Sequence, residues 1–145
     1  MFKFISIDPG KSKCGLVLVD IDAKKVDQAI ILNSQSLPEY VKKLKSSENI
    51  SKIIIGNGTT SKENIEKLKF IEEDLIICEE KNTTYRAKKR YFELLPLKGY
   101  KILIPKEFFI LNKNLDAVSA LIILEDYCNT KFTFSKKIDI KTWMK

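Results

Sequence analysis

Two apolar stretches near the start of the chain are separated by a sharp turn that carries an acidic residue. The first stretch ends at Ile7, the turn is Asp8-Pro9-Gly10, and the second stretch runs from Cys14 to Val19. Proline and glycine favour a reversal of the chain, so the two stretches are predicted to be neighbouring strands. An unpaired carboxylate resists leaving water. Asp8 therefore lies either at the mouth of a cleft or in a turn that it caps itself.

The apolar pattern of the rest of the chain predicts further strands that alternate with helices. The expected strands are residues 2–7, 15–21, 26–32, 53–55 and 75–78, with a further short strand at 100–104. Four helices are expected. One follows Ser36, one follows Ser61, and the other two cover residues 84–95 and 115–127. Short connections make the first three strands antiparallel, whereas the later strand–helix alternation favours parallel strands. The sequence thus predicts an α/β fold: a five-stranded mixed sheet, the first three strands antiparallel, with helices on both faces.

The composition excludes several kinds of chemistry. The 145 residues suit one domain, and they include no histidine, which rules out Ser-His-Asp catalysis and His-ligated metals. Cys14, Cys78 and Cys128 are widely spaced in apolar contexts, as expected of buried thiols in a reducing compartment. No apolar run reaches the ~18 residues that span a bilayer, and no secretory signal opens the sequence. We expect a cytoplasmic protein that does not enter membranes.

The excess of basic residues suggests a polyanionic partner. The chain has 26 basic and 19 acidic residues, a net charge of +7. Arg86, Lys89 and Arg90 are predicted to share one helix face, which is otherwise explained as a solvated surface. The basic tail, residues 129–145, interleaves aromatic residues. Three roles are open to it: binding single strands by stacking, folding back on the body, or pairing with a second subunit as a homodimer.

Three acidic positions are expected at one edge of the predicted sheet. Asp8 and the pair Glu79-Glu80 each follow an apolar strand, and Asp116 opens the last apolar helix. Each acid alone is explained by a turn or a helix cap. Together they would repel one another unless a cation lay between them, and oxygen ligands favour Mg²⁺ or Mn²⁺. One or two such ions can promote hydrolysis of a phosphodiester.

Four motifs lie in residues 7–15, 53–60, 79–84 and 111–127. They resemble motifs of the RNase H-like nuclease superfamily, in particular of its RuvC/YqgF branch of Holliday junction resolvases and pre-ribosomal-RNA-processing nucleases. Within the second motif, Asn57-Gly58-Thr59 is similar to the YqgF-like domain of the transcription accessory protein Tex. The resemblance extends to about Asn129.

The resemblance implies an RNase H-like nuclease domain over residues 1–128, followed by the basic tail at 129–145. It implies an endonuclease that cleaves branched DNA or structured RNA, with one or two Mg²⁺ or Mn²⁺ ions held by Asp8, Glu80 and Asp116. Spacing alone does not decide between Glu79 and Glu80; Glu80 matches the motif, and strand alternation would turn Glu79 the other way. The residues expected to contact nucleic acid are Lys11, Lys13, Asn57, Thr59, Lys81, Thr83, Thr84, Arg86, Lys89 and Arg90.

Two departures from the family pattern keep other functions open. Lys81 stands where the family usually has arginine, and Lys113 stands where some RuvC enzymes carry an additional acid. A non-catalytic nucleic-acid-binding module of the same fold is therefore an alternative. A phosphate-binding domain of the actin-like ATPase fold is a further one, although such ATPases need two domains. The sequence does not distinguish DNA from RNA, branched from linear substrates, or a monomer from a dimer.

Overall fold

A computed structural model of the chain describes residues 1–94, 96–106 and 115–134, apart from the side chains of residues 72 and 73. Lys113 and the part of the basic tail beyond residue 134 lie outside these ranges. The described strands and helices, in chain order, are β1 (Lys3–Asp8), β2 (Lys13–Asp20), β3 (Lys25–Asn33), α1 (Leu37–Ser47), β4 (Ile50–Gly56), α2 (Ser61–Lys67), β5 (Leu75–Cys78), α3 (Thr83–Leu94), α4 (Asp116–Cys128) and β6 (Thr133–Phe134). None of the described helices combines the length and the apolar character needed to cross a membrane.

The strands form one mixed sheet in the order β5-β4-β1-β2-β3-β6. β1, β2 and β3 pair as consecutive antiparallel neighbours. β4 runs parallel to β1, and β5 runs parallel to β4. The α/β mixed sheet with three antiparallel strands first is therefore confirmed. Because β1, β4 and β5 are parallel neighbours, their carboxyl ends meet at one edge of the sheet.

The structure differs from the predicted strands at two places. A sixth strand, β6, lies in the tail and pairs in parallel with Lys25 and Val26 of β3. The strand predicted at residues 100–104 is wrong, because Gly99–Leu103 forms a 3₁₀ turn. Gly99 adopts a positive φ of 66°, and the Ile104 amide bonds back to the Lys101 carbonyl. The apolar side chains of this segment are exposed, so no sheet face selects an extended conformation.

Two hydrophobic cores lie on opposite faces of the sheet. On one face, Ile5, Ile7 and Leu16 pack against apolar residues of α1. On the other face, Val17 and Ile54 pack against α3 and α4. Successive side chains of a strand point to opposite faces, so the uninterrupted apolar runs of β2 and β4 supply both cores. The expected helices on both faces are thereby confirmed.

A buried ion pair joins α3 to α4 and also holds the start of the tail. Arg90 contacts both carboxylate oxygens of Glu125, at 2.7 and 3.1 Å. The same two side chains bind the Phe132 backbone: Arg90 donates to its carbonyl at 2.8 Å, and Glu125 accepts from its amide at 3.0 Å. The Phe132 ring is 2% exposed within the core beside α4. The tail is thus bound to the body as far as β6.

We expect Glu125→Gln to lower the free energy of unfolding by about 3 kcal/mol, because it removes the buried anion of Arg90 and leaves, among the described residues, only the more exposed Glu93, 3.2 Å away. The matched control is Asp126→Asn. Asp126 forms a two-bond pair with Arg86, but those side chains are 44% and 42% exposed, against 9% and 11% for Glu125 and Arg90. The control should lose less than about 1 kcal/mol. Urea unfolding followed by circular dichroism measures both losses, and equal losses would contradict this account.

Candidate active site

Asp8 closes β1 on the face of the sheet that carries α4. Ile5 and Ile7 belong to the core beside α1, so alternation turns Ser6 and Asp8 the other way. Across the hairpin, Asp8 is paired with Gly15 of β2. The Asp8 side chain consequently lies at the carboxyl end of a central strand, half-buried and facing the helix that carries the last predicted acid.

Gly15 permits α4 to approach the sheet beside Asp8. A Cβ atom at Gly15 would overlap the backbone carbonyl of Asp116. Any larger residue would push the first turn of α4 away, because the obstructing atoms are backbone and cannot rotate aside. Since Gly15 is the partner of Asp8 in the sheet, this close contact brings Asp116 to the side of the sheet on which Asp8 lies.

Glu80 lies against the backbone at the end of β4. A Cβ atom at Gly56 would overlap the Glu80 carboxylate, and one at Gly58 would come within 3.0 Å of it. The Gly58 amide donates a hydrogen bond to the Glu80 carboxylate. The Glu80 amide donates to Asn57 Oδ1 at 3.1 Å, and the Asn57 amide donates to the Cys78 carbonyl at 2.9 Å. The glycine loop therefore fixes Glu80 through contacts with both its backbone and its side chain.

The carboxyl groups of Asp8 and Glu80 are hydrogen-bonded to each other. Burial, and after it the nearby charges of Glu80 and Asp116, raise the pKa of Asp8 from 3.8 to about 8. Burial also raises the pKa of Glu80, against the lowering effect of its hydrogen bonds from Gly58 and Asp8. A carboxyl pair in contact must share a proton, since two carboxylates offer only acceptors.

These acids suit a hard divalent cation in their chemistry. All of their donor atoms are carboxylate oxygens, and no N–H or O–H group in the described part of the chain reaches the buried Oε1 of Glu80. As the side chains stand, no group of three acids, cysteines or histidines among the described residues is close enough to hold an ion. A cation bound here would therefore have to displace the proton held between Asp8 and Glu80.

The other predicted site residues differ in their exposure to solvent. Lys11, Lys13, Thr59, Thr84 and Lys89 are exposed to solvent, whereas Thr83 is buried. Lys81 is exposed and lies 3.5 Å from Glu79. An open surface cavity of about 460 Å³ adjoins the acids and is lined by Glu80, Asn82, Thr83, Thr84, Tyr85 and Lys88.

Two predicted phosphate ligands and one loop residue have partners within the protein. Arg86 is bound to Asp126 and Arg90 to Glu125, so nucleic acid could reach these guanidinium groups only in competition with those carboxylates. The amide oxygen of Asn57 is likewise bound to the Glu80 backbone. Contact of these three residues with nucleic acid stays a prediction.

Sequence reasoning did not anticipate the residues that support the acids. Gly15 and Gly56 stand in the recognised motifs, but their role as space for Asp116 and Glu80 depends on which elements pack together. Ser34 and Asn64, which bond the backbone of the turn after Asp8, stand in no motif. Only the assembled sheet shows that they converge there.

Among solved structures, the chain is similar to T. thermophilus RuvC in complex with a Holliday junction substrate. The TM-score is 0.53 at 11% identity, over 89% of this chain and 96% of that one. A second structure, Thermus thermophilus RuvC, gives a TM-score of 0.50 at 10% identity, over 87% of this chain and 94% of that one. The chain has an RNase H-like fold. At such low identity, the likeness to RuvC shows the fold alone.

Comparison of sequences adds no further relationship. No protein-family model matches the chain, and no curated protein sequence matches it. The RNase H-like assignment rests on the solved structures and on the sheet topology.

The shared proton predicts that the stability of the protein falls as pH rises between about 4 and 8. The folded state keeps the Asp8 proton up to about pH 8, whereas an unfolded aspartate releases it near pH 4. Asp8→Asn carries no charge, so in EDTA it should become increasingly more stable than wild type from pH 5 to pH 8. Urea unfolding at both pH values measures the difference.

A matched control for the pH prediction is Glu79→Gln, which removes an exposed acid one residue from Glu80. Because Glu79 is exposed, its replacement should not reproduce the gain in stability that Asp8→Asn shows towards pH 8. A constant difference between Asp8→Asn and wild type would show that Asp8 is ionised in the folded protein.

Proposed function

We propose that this protein is a metal-dependent endonuclease that cleaves structured nucleic acid, either branched DNA or folded RNA. The observation that carries the proposal is the contact between the Asp8 and Glu80 carboxyls at the carboxyl ends of β1 and β5, the strands on either side of β4, on the face covered by the first turn of α4. Gathering acids in a half-buried site destabilises a protein, because the carboxylates repel one another. Such a costly cluster is therefore typical of a functional site. The RNase H-like fold supports a nuclease-like or nucleic-acid-binding role.

In this proposal, Asp8, Glu80 and Asp116 hold one or two Mg²⁺ or Mn²⁺ ions. A bound ion of this kind supplies an activated water and stabilises the leaving oxygen of a phosphodiester. The contribution of the chain is to orient the ligands. The Gly58 amide fixes the Glu80 carboxylate, the Asn57 side chain fixes its backbone, and β1 presents Asp8 from the other side of β4.

Exposed lysines near the acids supply binding sites for phosphates. Lys11 and Lys13 follow Asp8 in the turn before β2, and Lys88 and Lys89 project from α3. Lys88 also lines the cavity beside Glu80. Positive groups on both sides of the acids would offset the repulsion between the carboxylates and a polyanionic substrate. RuvC bound to a Holliday junction makes branched DNA the first substrate to test.

The catalytic prediction is that Asp8→Asn, Glu80→Gln and Asp116→Asn each reduce Mg²⁺-dependent cleavage by roughly 100-fold or more. Each change removes an anionic ligand with little change in volume, so ion binding weakens and the reacting groups are misplaced. Single-turnover cleavage of a four-way DNA junction, a flap and a structured ribosomal-RNA precursor measures the effect. Binding of the same substrates in EDTA should be retained or tightened, since a negative charge is removed.

The matched control for the catalytic prediction is Glu79→Gln. Glu79 is adjacent to Glu80 but exposed and beside Lys81, so its replacement should leave cleavage within about twofold of wild type. Wild-type cleavage that persists in EDTA would refute the role of the metal. Full activity in Glu80→Gln together with loss in Glu79→Gln would mean that the second acid was assigned to the wrong residue.

The binding prediction is that Lys89→Glu and Lys13→Glu weaken affinity for duplex DNA and flatten its dependence on salt. Each lost phosphate contact should lower the slope of log K against log salt by about 0.9. The control is Lys43→Glu, which reverses an exposed charge on α1, the helix on the opposite face of the sheet. Fluorescence anisotropy between 50 and 200 mM salt, a range over which such contacts change affinity strongly, measures the slope. A slope unchanged in Lys13→Glu and Lys89→Glu would remove both residues from the phosphate path.

A second candidate is a module of the same fold that binds nucleic acid without cutting it. The observation that favours it is that no three acids of the described residues already stand at ion-holding distances. In that case the wild-type protein would bind the junction or RNA with the same salt dependence and would cleave neither at any Mg²⁺ or Mn²⁺ concentration.

A further inference from the structure

Four polar residues surround the turn that follows Asp8. Cys14, Ser34 and Asn64 are no more than 2% exposed, and Thr60 is half-buried. They come from separate parts of the chain: β2, the connection before α1, α2, and the connection before α2. Polar side chains are costly to bury unless they are hydrogen-bonded, so their convergence on one turn calls for a reason.

The hydrogen bonds of this group are directed at the backbone carbonyls of the turn. Ser34 Oγ donates to the Gly10 carbonyl at 2.8 Å, and Asn64 Nδ2 donates to the same oxygen at 3.2 Å. Thr60 Oγ1 donates to the Pro9 carbonyl at 3.1 Å. Cys14 Sγ lies 3.2 Å from Ser34 Oγ, within hydrogen-bonding distance, and this contact helps to hold the Ser34 hydroxyl in place. The turn is therefore bound from three sides by groups that belong to its neighbours.

The orientation of the Asn64 amide is set by its surroundings. Nδ2 faces two carbonyl oxygens, those of Gly10 and Thr60, at 3.2 and 3.5 Å. A reversed amide would place oxygen against oxygen at both positions. The cost of the observed orientation is that the buried Oδ1 has no hydrogen-bond partner among the described residues. Leaving a polar atom unpaired is unfavourable. The hydrogen bonds that Asn64 Nδ2 donates must therefore outweigh the loss of a partner for Oδ1.

We propose that Ser34, Thr60 and Asn64 are positioning residues for Asp8. By fixing the carbonyls of the two residues that follow it, they hold the end of β1 so that the Asp8 carboxylate stays against Glu80. The inference rests on the proposed function, since it assigns these residues to the preparation of the same metal site. None of them touches the acids, so their effect must pass through the backbone of the turn.

The experiment compares variants that remove one donor with variants that retain it. Thr60→Val and Ser34→Ala delete hydroxyls with little change in volume, whereas Thr60→Ser and Ser34→Thr keep them. Tyr40→Phe is the matched control, because it deletes a half-buried hydrogen bond of 3.1 Å between α1 and Gln28 of β3, away from the turn. The measurements are the melting temperature, the Kd for Mn²⁺ by calorimetry, and hydrogen exchange of the amides of residues 10–13 without metal.

The expected result separates local from global effects. Thr60→Val and Ser34→Ala should raise the Kd for Mn²⁺ about tenfold, the equivalent of one hydrogen bond, and should speed exchange in the turn. Thr60→Ser and Ser34→Thr should restore both properties towards wild type. Tyr40→Phe should lower the melting temperature by a similar amount without changing either property. Unchanged exchange and Mn²⁺ affinity in Thr60→Val and Ser34→Ala would overturn the proposal, as would equal weakening in Tyr40→Phe.

Failure of the positioning role and failure of the nuclease proposal give different results. A wild-type protein that binds Mn²⁺ but cleaves no substrate refutes the nuclease activity, and the variants still decide the role of the Ser34 and Thr60 donors. A wild-type protein that binds no Mn²⁺ overturns both proposals. Normal cleavage together with unchanged Mn²⁺ affinity in the variants overturns the positioning role alone.

Discussion

The close contact between α4 and the sheet is the constraint on which the site depends. Gly15 has no side chain, so the backbone of Asp116 can lie against the strand that pairs with Asp8. Residues 117–124 of α4 are buried and, except for Ser119, apolar, and their packing holds the helix against the sheet. An acid that opens such a helix is brought to the sheet by hydrophobic packing of the residues behind it, and the favourable energy of that packing opposes the repulsion between carboxylates.

Glycines perform the matching role for the second acid. The Glu80 carboxylate occupies the space beside Gly56 and Gly58 that side chains would otherwise fill. The loop between β4 and α2 thus supports a protein side chain. The sequence predicts that polar residues of this loop contact nucleic acid, and the structure shows that one of them, Asn57, also binds the Glu80 backbone.

The sequence predicted what depends on short-range patterns. Alternation along the strands gives the faces of Ile7 and Asp8, and it turns Glu80 rather than Glu79 towards the site. It failed where the outcome depends on distant partners. Residues 100–104 are as apolar as a strand, but no strand in the described part of the chain pairs with them. The basic face of α3 gave no sign that Arg86 and Arg90 would meet acids of α4, because helix packing, not composition, decides which charges are paired internally.

The pairing of β6 with β3 joins the start of the tail to a strand near the beginning of the chain. Lys24 and Thr133 are 109 positions apart and bond through their backbones. Closing so long a loop carries a large entropic cost before any contact is gained, and such topologies fold slowly. Phe132 cannot enter the core, and its backbone cannot bind the Arg90–Glu125 ion pair, until nearly the whole described chain has been synthesised. During translation, then, the outer edge of β3 is open to other strands for most of the time, and assembly of the completed sheet is late and cooperative.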